Sequence, residues 1–170
     1  MEVNKEQLLE IFNKQEELDR DIFEKHGLTE YPKNNMNIAL FVELGELMNE
    51  LPTKFKHWKS SAVDNKEKAL EEYVDCIHFM TSITINHCKE KKLNYENVIK
   101  KIILKKELPY MGKYNYATLL YEVSHIGYIA TYRYASLLLL GEQLGFSWDE
   151  IYKAYLKKNQ INHERQDNNY

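Results

Sequence analysis

The chain of 170 residues has few of the residues that interrupt or cross-link a fold: 6 Gly, 3 Pro and 2 Cys. So little Gly and Pro disfavours a turn-rich all-β domain. Cys76 and Cys88 have no partner motif and lie in or beside an apolar stretch, which indicates reduced, buried thiols. A chain of this length can bury a sizeable core, so we expect residues 1–170 to form a single domain without a disulfide or a zinc site.

The sequence also lacks a strong excess of charge and a long, clean apolar run. Its 23 basic and 26 acidic residues leave a net charge of −3, which argues against general nucleic-acid binding and suggests that any nucleotide ligand is small or held through a metal. The longest apolar tract, residues 126–140, contains Arg133 and falls short of the roughly 18 apolar residues that a membrane span needs. There is no secretory signal pattern. These features predict a cytoplasmic protein without membrane or direct nucleic-acid contact.

Helical periodicity is the main pattern that is present. Apolar residues recur at helical spacing, Pro52 marks one helix end, and Ser147 with Glu150 has the spacing of a capping box. The chain shows no strand pattern, repeat or linker. The predicted fold class is therefore all-α, a bundle of about five or six helices. The expected helices cover residues 3–26, 35–51, 65–88, 94–106, 115–143 and 148–163.

The longest of these expected helices has apolar residues on nearly all sides. Four tyrosines enlarge its surface further: Tyr121, Tyr128, Tyr132 and Tyr134. This is more apolar surface than a small bundle needs. The helix is either a subunit interface or a central core helix.

Two pairs of carboxylates lie on consecutive predicted helices. Glu72 and Asp75 lie on a helix that is apolar on nearly every other side, where an unpaired carboxylate costs several kcal/mol. Glu43 and Glu46 are three residues apart on the preceding helix, so they are neighbours on its surface. If the two helices are in contact, four carboxylates converge, and all-oxygen ligands favour Mg²⁺ or Mn²⁺ over zinc. The alternatives are a solvated helix face and structural ion pairs with lysines.

Three stretches resemble one family: VELGELMNE at residues 42–50, FKHWK at 55–59 and LEEYVDCIHF at 70–79. They are similar to the dimeric all-α dUTPases, which belong to the MazG-like all-α NTP pyrophosphatases. Residues 15–19 and 157–166 resemble the N-terminal and C-terminal motifs of that family, so the resemblance covers nearly the whole chain. The paired acidic residues are shared across the superfamily, whereas Trp58, His78 and the C-terminal motif point to dUTP.

The resemblance implies a Mg²⁺-dependent enzyme, with Mn²⁺ as an alternative cation, that hydrolyses dUTP to dUMP and pyrophosphate and also acts on dUDP, keeping uracil out of DNA. It also implies a homodimer. Glu43, Glu46, Glu72 and Asp75 are implied as the metal ligands. Glu43 and Glu46 are implied as catalytic residues, with Glu43 favoured as the base that takes a proton from the attacking water.

The resemblance further implies substrate contacts, some to the phosphates and the others to the base or sugar. They are Gln15, Trp58, Lys59, His78, Lys158, Asn162 and Arg165. Trp58 would pack on the base, and Arg165 can grip two phosphate oxygens with its planar fork. The alternatives are an exposed helix side chain for Gln15, a buried imidazole bonded to a carbonyl for His78, and solvated surface charges for the lysines.

Other functions remain open from the sequence. Glu122-x-x-His125 has the spacing used by di-iron carboxylate bundles, but the first acidic pair here is Glu-x-x-Glu, which such a site does not use. A MazG-like pyrophosphatase for another nucleotide is a second alternative. A third is an additional role in binding a repressor protein, for which the Lys-rich and Tyr-rich segment 100–116 is the first surface to test.

Overall fold

The computed structural model describes residues 1–168. Seven α-helices and two short 3₁₀ turns, at Pro52–Lys54 and Met111–Lys113, make up the regular structure of these residues, and no strand occurs among them. The all-α prediction is confirmed, and the number of helices is slightly higher than expected. In chain order the helices are α1 Lys5–Lys25, α2 Lys33–Asn49, α3 Lys66–Lys91, α4 Tyr95–Lys106, α5 Tyr116–Ser124, α6 Ala130–Gln143 and α7 Trp148–Asp167.

The stretch predicted as the longest helix is in fact two helices, so this prediction was wrong. α5 ends at Ser124, and α6 begins only at Ala130. The backbone of His125 is extended, while the apolar pattern continues through the break and hides it. Arg133 links the two helices by donating its Nε–H to the carbonyl of Val123 at 2.7 Å. This bond satisfies a carbonyl in the last turn of α5, where no intrahelical donor remains.

Side-chain caps determine where most of the helices begin. At the starts of α1, α3, α4 and α5, an asparagine side chain accepts a hydrogen bond from a backbone N–H three residues on; these residues are Asn4, Asn65, Asn94 and Asn115. At the start of α7, Ser147 and Glu150 form the capping box that their spacing predicts, with both reciprocal hydrogen bonds present. The caps therefore set the register of α3 and α7, which carry many of the predicted site residues.

The central helix of the bundle is α3. It packs against α1, α2, α4, α6 and α7, and both cysteines are buried on it as free thiols, as expected. The Tyr73 hydroxyl donates to the carbonyl of Leu137 on α6 at 2.9 Å. Gly141 permits this close packing, because a Cβ at that position would overlap the Tyr73 ring. α2 and α3, the two helices predicted to share carboxylates, are in direct and extensive contact.

The segment 100–116 belongs to the bundle and is not a separate module. Its first part continues α4, which packs against α1 and α6, and Met111 is fully buried. Leu104 and Tyr110 remain exposed on its outer side. Neither here nor elsewhere in residues 1–168 is a helix long and apolar enough to cross a membrane.

Candidate active site

Carboxylates from α2 and α3 meet where the two helices pack. One oxygen from each of Glu43, Glu46 and Glu72 lies within 4.8 Å of the other two. Glu43 and Glu72 are half-buried, and Glu46 is exposed. The cluster therefore lies at the surface edge of the helix pair, where a cation can enter from solvent.

Asp75, the fourth predicted ligand, has a different partner. Its Oδ2 accepts a hydrogen bond from Lys158 Nζ on α7 at 2.6 Å. Both side chains are largely buried, so this is a charge-assisted bond in partly dry surroundings. Lys158 thus provides an internal counter-ion for the one predicted ligand that lies outside the three-carboxylate cluster.

The crowding of the acids perturbs their protonation. Burial, followed by the negative charges of Asp75, Glu46 and Glu72, raises the pKa of Glu43 to about 7. Burial and the Asp75 charge also raise the pKa of Glu72. Burial raises the pKa of Asp75 even though Lys158 opposes it. The cluster is therefore short of positive charge, and a cation among these oxygens would favour their ionised forms.

The donor atoms of the cluster fit a hard divalent cation. The cluster consists of carboxylates alone, which are the ligands that Mg²⁺ and Mn²⁺ prefer and that zinc seldom binds without nitrogen or sulfur. Two oxygens on opposite sides of Mg²⁺ are about 4.2 Å apart, because each lies about 2.1 Å from the ion. The three oxygens of the cluster, which lie within 4.8 Å of one another, would therefore move closer together to bind one such ion.

A cavity of about 340 Å³ lies beside the cluster, with Glu43 and Asp75 in its wall. Five of the predicted substrate contacts also line it, and they come from α1, α3 and α7: Gln15, His78, Lys158, Asn162 and Arg165. Apolar side chains such as Ile22 and Phe79 complete the wall. The fold therefore brings predicted metal ligands and predicted substrate contacts to one place.

Hydrogen bonds link the polar side chains of this wall. Gln15 Oε1 lies 2.7 Å from His78 Nδ1 and accepts from the Tyr155 hydroxyl at 3.0 Å. The His78 ring stacks on the Tyr155 ring, with centroids 4.2 Å apart. Burial, together with the nearby charge of Lys158, lowers the pKa of His78 to about 3, so the imidazole is neutral. The partner of His78 is a side-chain amide and not a backbone carbonyl.

The loop between α2 and α3 carries the two remaining predicted contacts. Trp58 is 68% exposed, and its ring meets the rings of Phe55 and His57 edge-on. Lys59 is also exposed. Neither Trp58 nor Lys59 lines the cavity, so the structure does not bring these two residues to the other five.

Tyr155 and Asp19 are site residues that the sequence did not predict. Tyr155 lies three residues before Lys158, on the same side of α7. Asp19 lies four residues after Gln15 on α1, and its Oδ1 accepts a hydrogen bond from Gln15 Nε2 at 2.8 Å. Both residues are buried. Their spacing of three residues from Lys158 and four residues from Gln15 could have predicted them from the sequence.

A helical bundle that holds a carboxylate cluster beside a cavity lined by amide, imidazole and basic side chains has the features of a metal-dependent nucleotide hydrolase. A family model described as dUTPase matches residues 7–170. The match spans nearly the whole chain, so the chain belongs to this dUTPase family. It is accordingly a dUTP diphosphatase, an enzyme of a kind that generally needs a divalent metal. Comparison with curated proteins found no match.

Proposed function

We propose that the protein, acting as one domain over residues 1–170, hydrolyses dUTP to dUMP and pyrophosphate with Mg²⁺ as its cation. One observation carries the proposal: Glu43 and Asp75, two proposed cation ligands, line the same cavity as Gln15 and His78, two proposed base or sugar contacts. A nucleoside triphosphate needs its phosphates beside neutralising charge and its base against amide or imidazole groups. A single cavity with both kinds of wall meets both needs.

The proposed Mg²⁺ ligands are Glu43, Glu46, Glu72 and Asp75. When bound, the cation supplies neutralisation of phosphate charge and a polarised water. Glu43, beside its catalytic neighbour Glu46, is the favoured base, because its carboxylate belongs both to the cluster and to the cavity wall.

Lys158 and Arg165 on α7 are the proposed phosphate contacts, and both line the cavity. Lys158 is 2.6 Å from Asp75, so a phosphate competes with that carboxylate for the ammonium group. If a bound cation neutralises the charge of Asp75, the ammonium group of Lys158 becomes free to bind phosphate oxygens. Arg165 adds a planar fork that can hold two oxygens at once.

Gln15, His78 and Asn162 are the proposed contacts to the base and the deoxyribose. Trp58 is proposed to pack on the base and Lys59 to contact the phosphates, which requires the loop over residues 55–65 to close over the cavity when the substrate binds. Fluorescence tests this closure, because the other tryptophan, Trp148, is buried and can be replaced by Phe. We expect dUMP to change the emission of Trp58 in that background, and an unchanged emission would argue against a contact with the base.

The direct test of the proposed function is dUTP turnover with Mg²⁺, with and without a chelator, in the wild type and in Glu72→Gln. We expect the chelator to abolish turnover. The substitution should reduce it by more than the roughly 10- to 100-fold typical of changes behind a metal ligand. Glu71→Gln is the matched control, because Glu71 is the exposed neighbour on α3. Undiminished turnover by Glu72→Gln would contradict the ligand assignment.

A nucleotide panel tests the substrate itself. We propose that dUDP is also hydrolysed, because the cavity residues for the base are the same for both nucleotides. dCTP and dTTP should be poor substrates. Faster turnover of another nucleotide than of dUTP would favour the alternative of a MazG-like pyrophosphatase with a different substrate.

We also propose a homodimer. Ile38, Phe41 and Val42 are exposed on α2, and their spacing of three and four residues makes them one continuous apolar face. Light scattering should therefore give twice the chain mass of 20.3 kDa, and Ile38→Glu should lower it. Val63→Glu is the control, because Val63 is exposed in the loop between α2 and α3. A monomeric wild type would contradict the proposal.

Binding of a repressor protein is proposed only as an addition to catalysis. The exposed Leu104 and Tyr110 on segment 100–116 provide apolar surface for such a partner. A binding measurement with the repressor, comparing the wild type with Leu104→Glu and Tyr110→Glu, tests this surface. Equal binding by all three proteins would exclude it.

A further inference from the structure

A buried carboxylate, Asp19, lines the same cavity as the proposed base contacts. Asp19 is 8% exposed, and both of its oxygens accept hydrogen bonds. Oδ1 accepts from Gln15 Nε2 at 2.8 Å, and Oδ2 accepts from Ser82 Oγ at 2.6 Å. The Ser82 Oγ in turn lies 3.2 Å from the Tyr31 hydroxyl. Asp19 lines the same cavity as Glu43 and Asp75, and the proposed mechanism gives it no role.

Burial raises the pKa of Asp19, but the hydrogen bonds from Ser82 and Gln15 oppose that rise by favouring the ionised form. The charge of this form determines which way the Gln15 amide faces. An ionised carboxylate can only accept hydrogen bonds, so the NH₂ group of Gln15 must be the end that meets Asp19. The amide oxygen is therefore directed to the other side, where it lies 2.7 Å from His78 Nδ1 and 3.0 Å from the Tyr155 hydroxyl. The reverse orientation would place the amide oxygen against the carboxylate.

The orientation of Gln15 in turn determines the tautomer of His78. An amide oxygen has no proton to donate, so the proton in the bond to Gln15 Oε1 resides on His78 Nδ1. In the neutral ring, Nε2 then carries a lone pair and acts as an acceptor. This Nε2 is buried and has no hydrogen-bond partner among residues 1–168, and His78 lines the substrate cavity.

We propose that Asp19 is a positioning residue for uracil selection, which acts through Gln15 to hold His78 as the Nδ1–H tautomer, so that Nε2 accepts a hydrogen bond from the N3–H of the base. This inference rests on the proposed function. Uracil carries a proton on N3, whereas N3 of cytosine is an acceptor. An acceptor on the protein therefore binds uracil and opposes cytosine, and a site built for one donor pattern rejects the other strongly.

Asp19→Asn tests the relay, because the change keeps the shape and removes the charge. The new amide can donate or accept, so both orientations of Gln15 and both tautomers of His78 become accessible. We expect a higher KM for dUTP with kcat largely retained, since the change acts at the base and not at the phosphates. We also expect the efficiency for dCTP relative to dUTP to rise by roughly tenfold or more. Asp149→Asn, at an exposed position on α7, is the control.

Nitrogen-15 NMR of the histidine rings determines the tautomer of His78 directly in the wild-type protein. We expect His78, assigned by comparison with His78→Gln, to carry its proton on Nδ1. A proton on Nε2 would overturn the proposal, as would an unchanged dCTP to dUTP ratio in a folded Asp19→Asn protein. If the wild type fails to hydrolyse dUTP, the proposed function fails, while the NMR result still decides the tautomer.

Discussion

Replacing Glu43 by Gln should make the protein more stable without a divalent cation and less stable with one. Oxygens of Glu43, Glu46 and Glu72 lie within 4.8 Å of one another. Two unit charges at that distance repel by about 0.9 kcal/mol at the dielectric constant of water, and by about 3.5 kcal/mol at an effective dielectric constant of 20. Because Glu46 is exposed, the lower value applies. With two neighbours, removing the Glu43 charge should stabilise the fold by about 2 kcal/mol.

Thermal unfolding at pH 8, in low salt and with a chelator, measures this gain. For a chain of this size, about 2 kcal/mol raises the Tm by about 4–8 °C. Mg²⁺ at 100 times its Kd should then stabilise the wild type by about 2.7 kcal/mol and Glu43→Gln by much less, so the order of the two proteins reverses. Glu17→Gln, at an exposed position on α1, is the control for loss of one negative charge.

The pH dependence of the Tm gives a second comparison of the wild type with Glu43→Gln. The pKa of Glu43 is raised from 4.5 to about 7, so the folded state binds a proton that the unfolded state releases. The stabilisation that comes from this proton on Glu43 is fully present below pH 4.5 and is lost as the pH rises through about 7. With a chelator, the wild-type Tm should therefore fall between pH 5.5 and pH 8 more than that of Glu43→Gln. A lower Tm for Glu43→Gln in chelator, or an equal response to Mg²⁺, would refute the reasoning.

Four further substitutions test the helices that support the site, each by urea unfolding. Ser147→Ala should cost about 1 kcal/mol through loss of the capping box, and no change would show that the box is dispensable. Gly141→Ala should cost about 1–3 kcal/mol, because its Cβ overlaps Tyr73, whereas Gly45→Ala, at an open position on α2, should gain about 0.5–1 kcal/mol. Equal stability of these two variants would contradict the packing argument. Lys158→Met should cost about 1–3 kcal/mol of stability in chelator, because it leaves the carboxylate of Asp75 unpaired. The same substitution should raise the KM for dUTP. An unchanged KM would show that Lys158 is not a phosphate contact.

Those features of the site that depend on helical spacing could be predicted from the sequence. Glu43 and Glu46 share a face because residues three apart do so on any α-helix, and the apolar surroundings of Glu72 marked its helix as buried. The capping box at Ser147 is a local pattern of the same kind. Local geometry determines each of these features, so the order of residues is enough to find them.

The features that depend on tertiary contacts could not be predicted. The bond between Asp75 and Lys158 joins α3 to α7, and helical spacing alone does not reveal which lysine approaches which acid. The break after Ser124 is hidden because the residues on both sides of it are apolar, and its hydrogen bond from Arg133 comes from the next helix. The position of Trp58 depends on a loop whose path has no periodic pattern. In each case, the partner lies far along the chain or in irregular structure.

The central position of α3 has a consequence for hydrogen exchange. Because this helix packs against five others, its interior amides can exchange with solvent only when most of the fold opens at once. A ligand that binds at Glu72 and Asp75 stabilises the closed form against that opening. Protection should therefore increase along the whole of α3 and in the core segments that open with it, and not only beside the bound ligand.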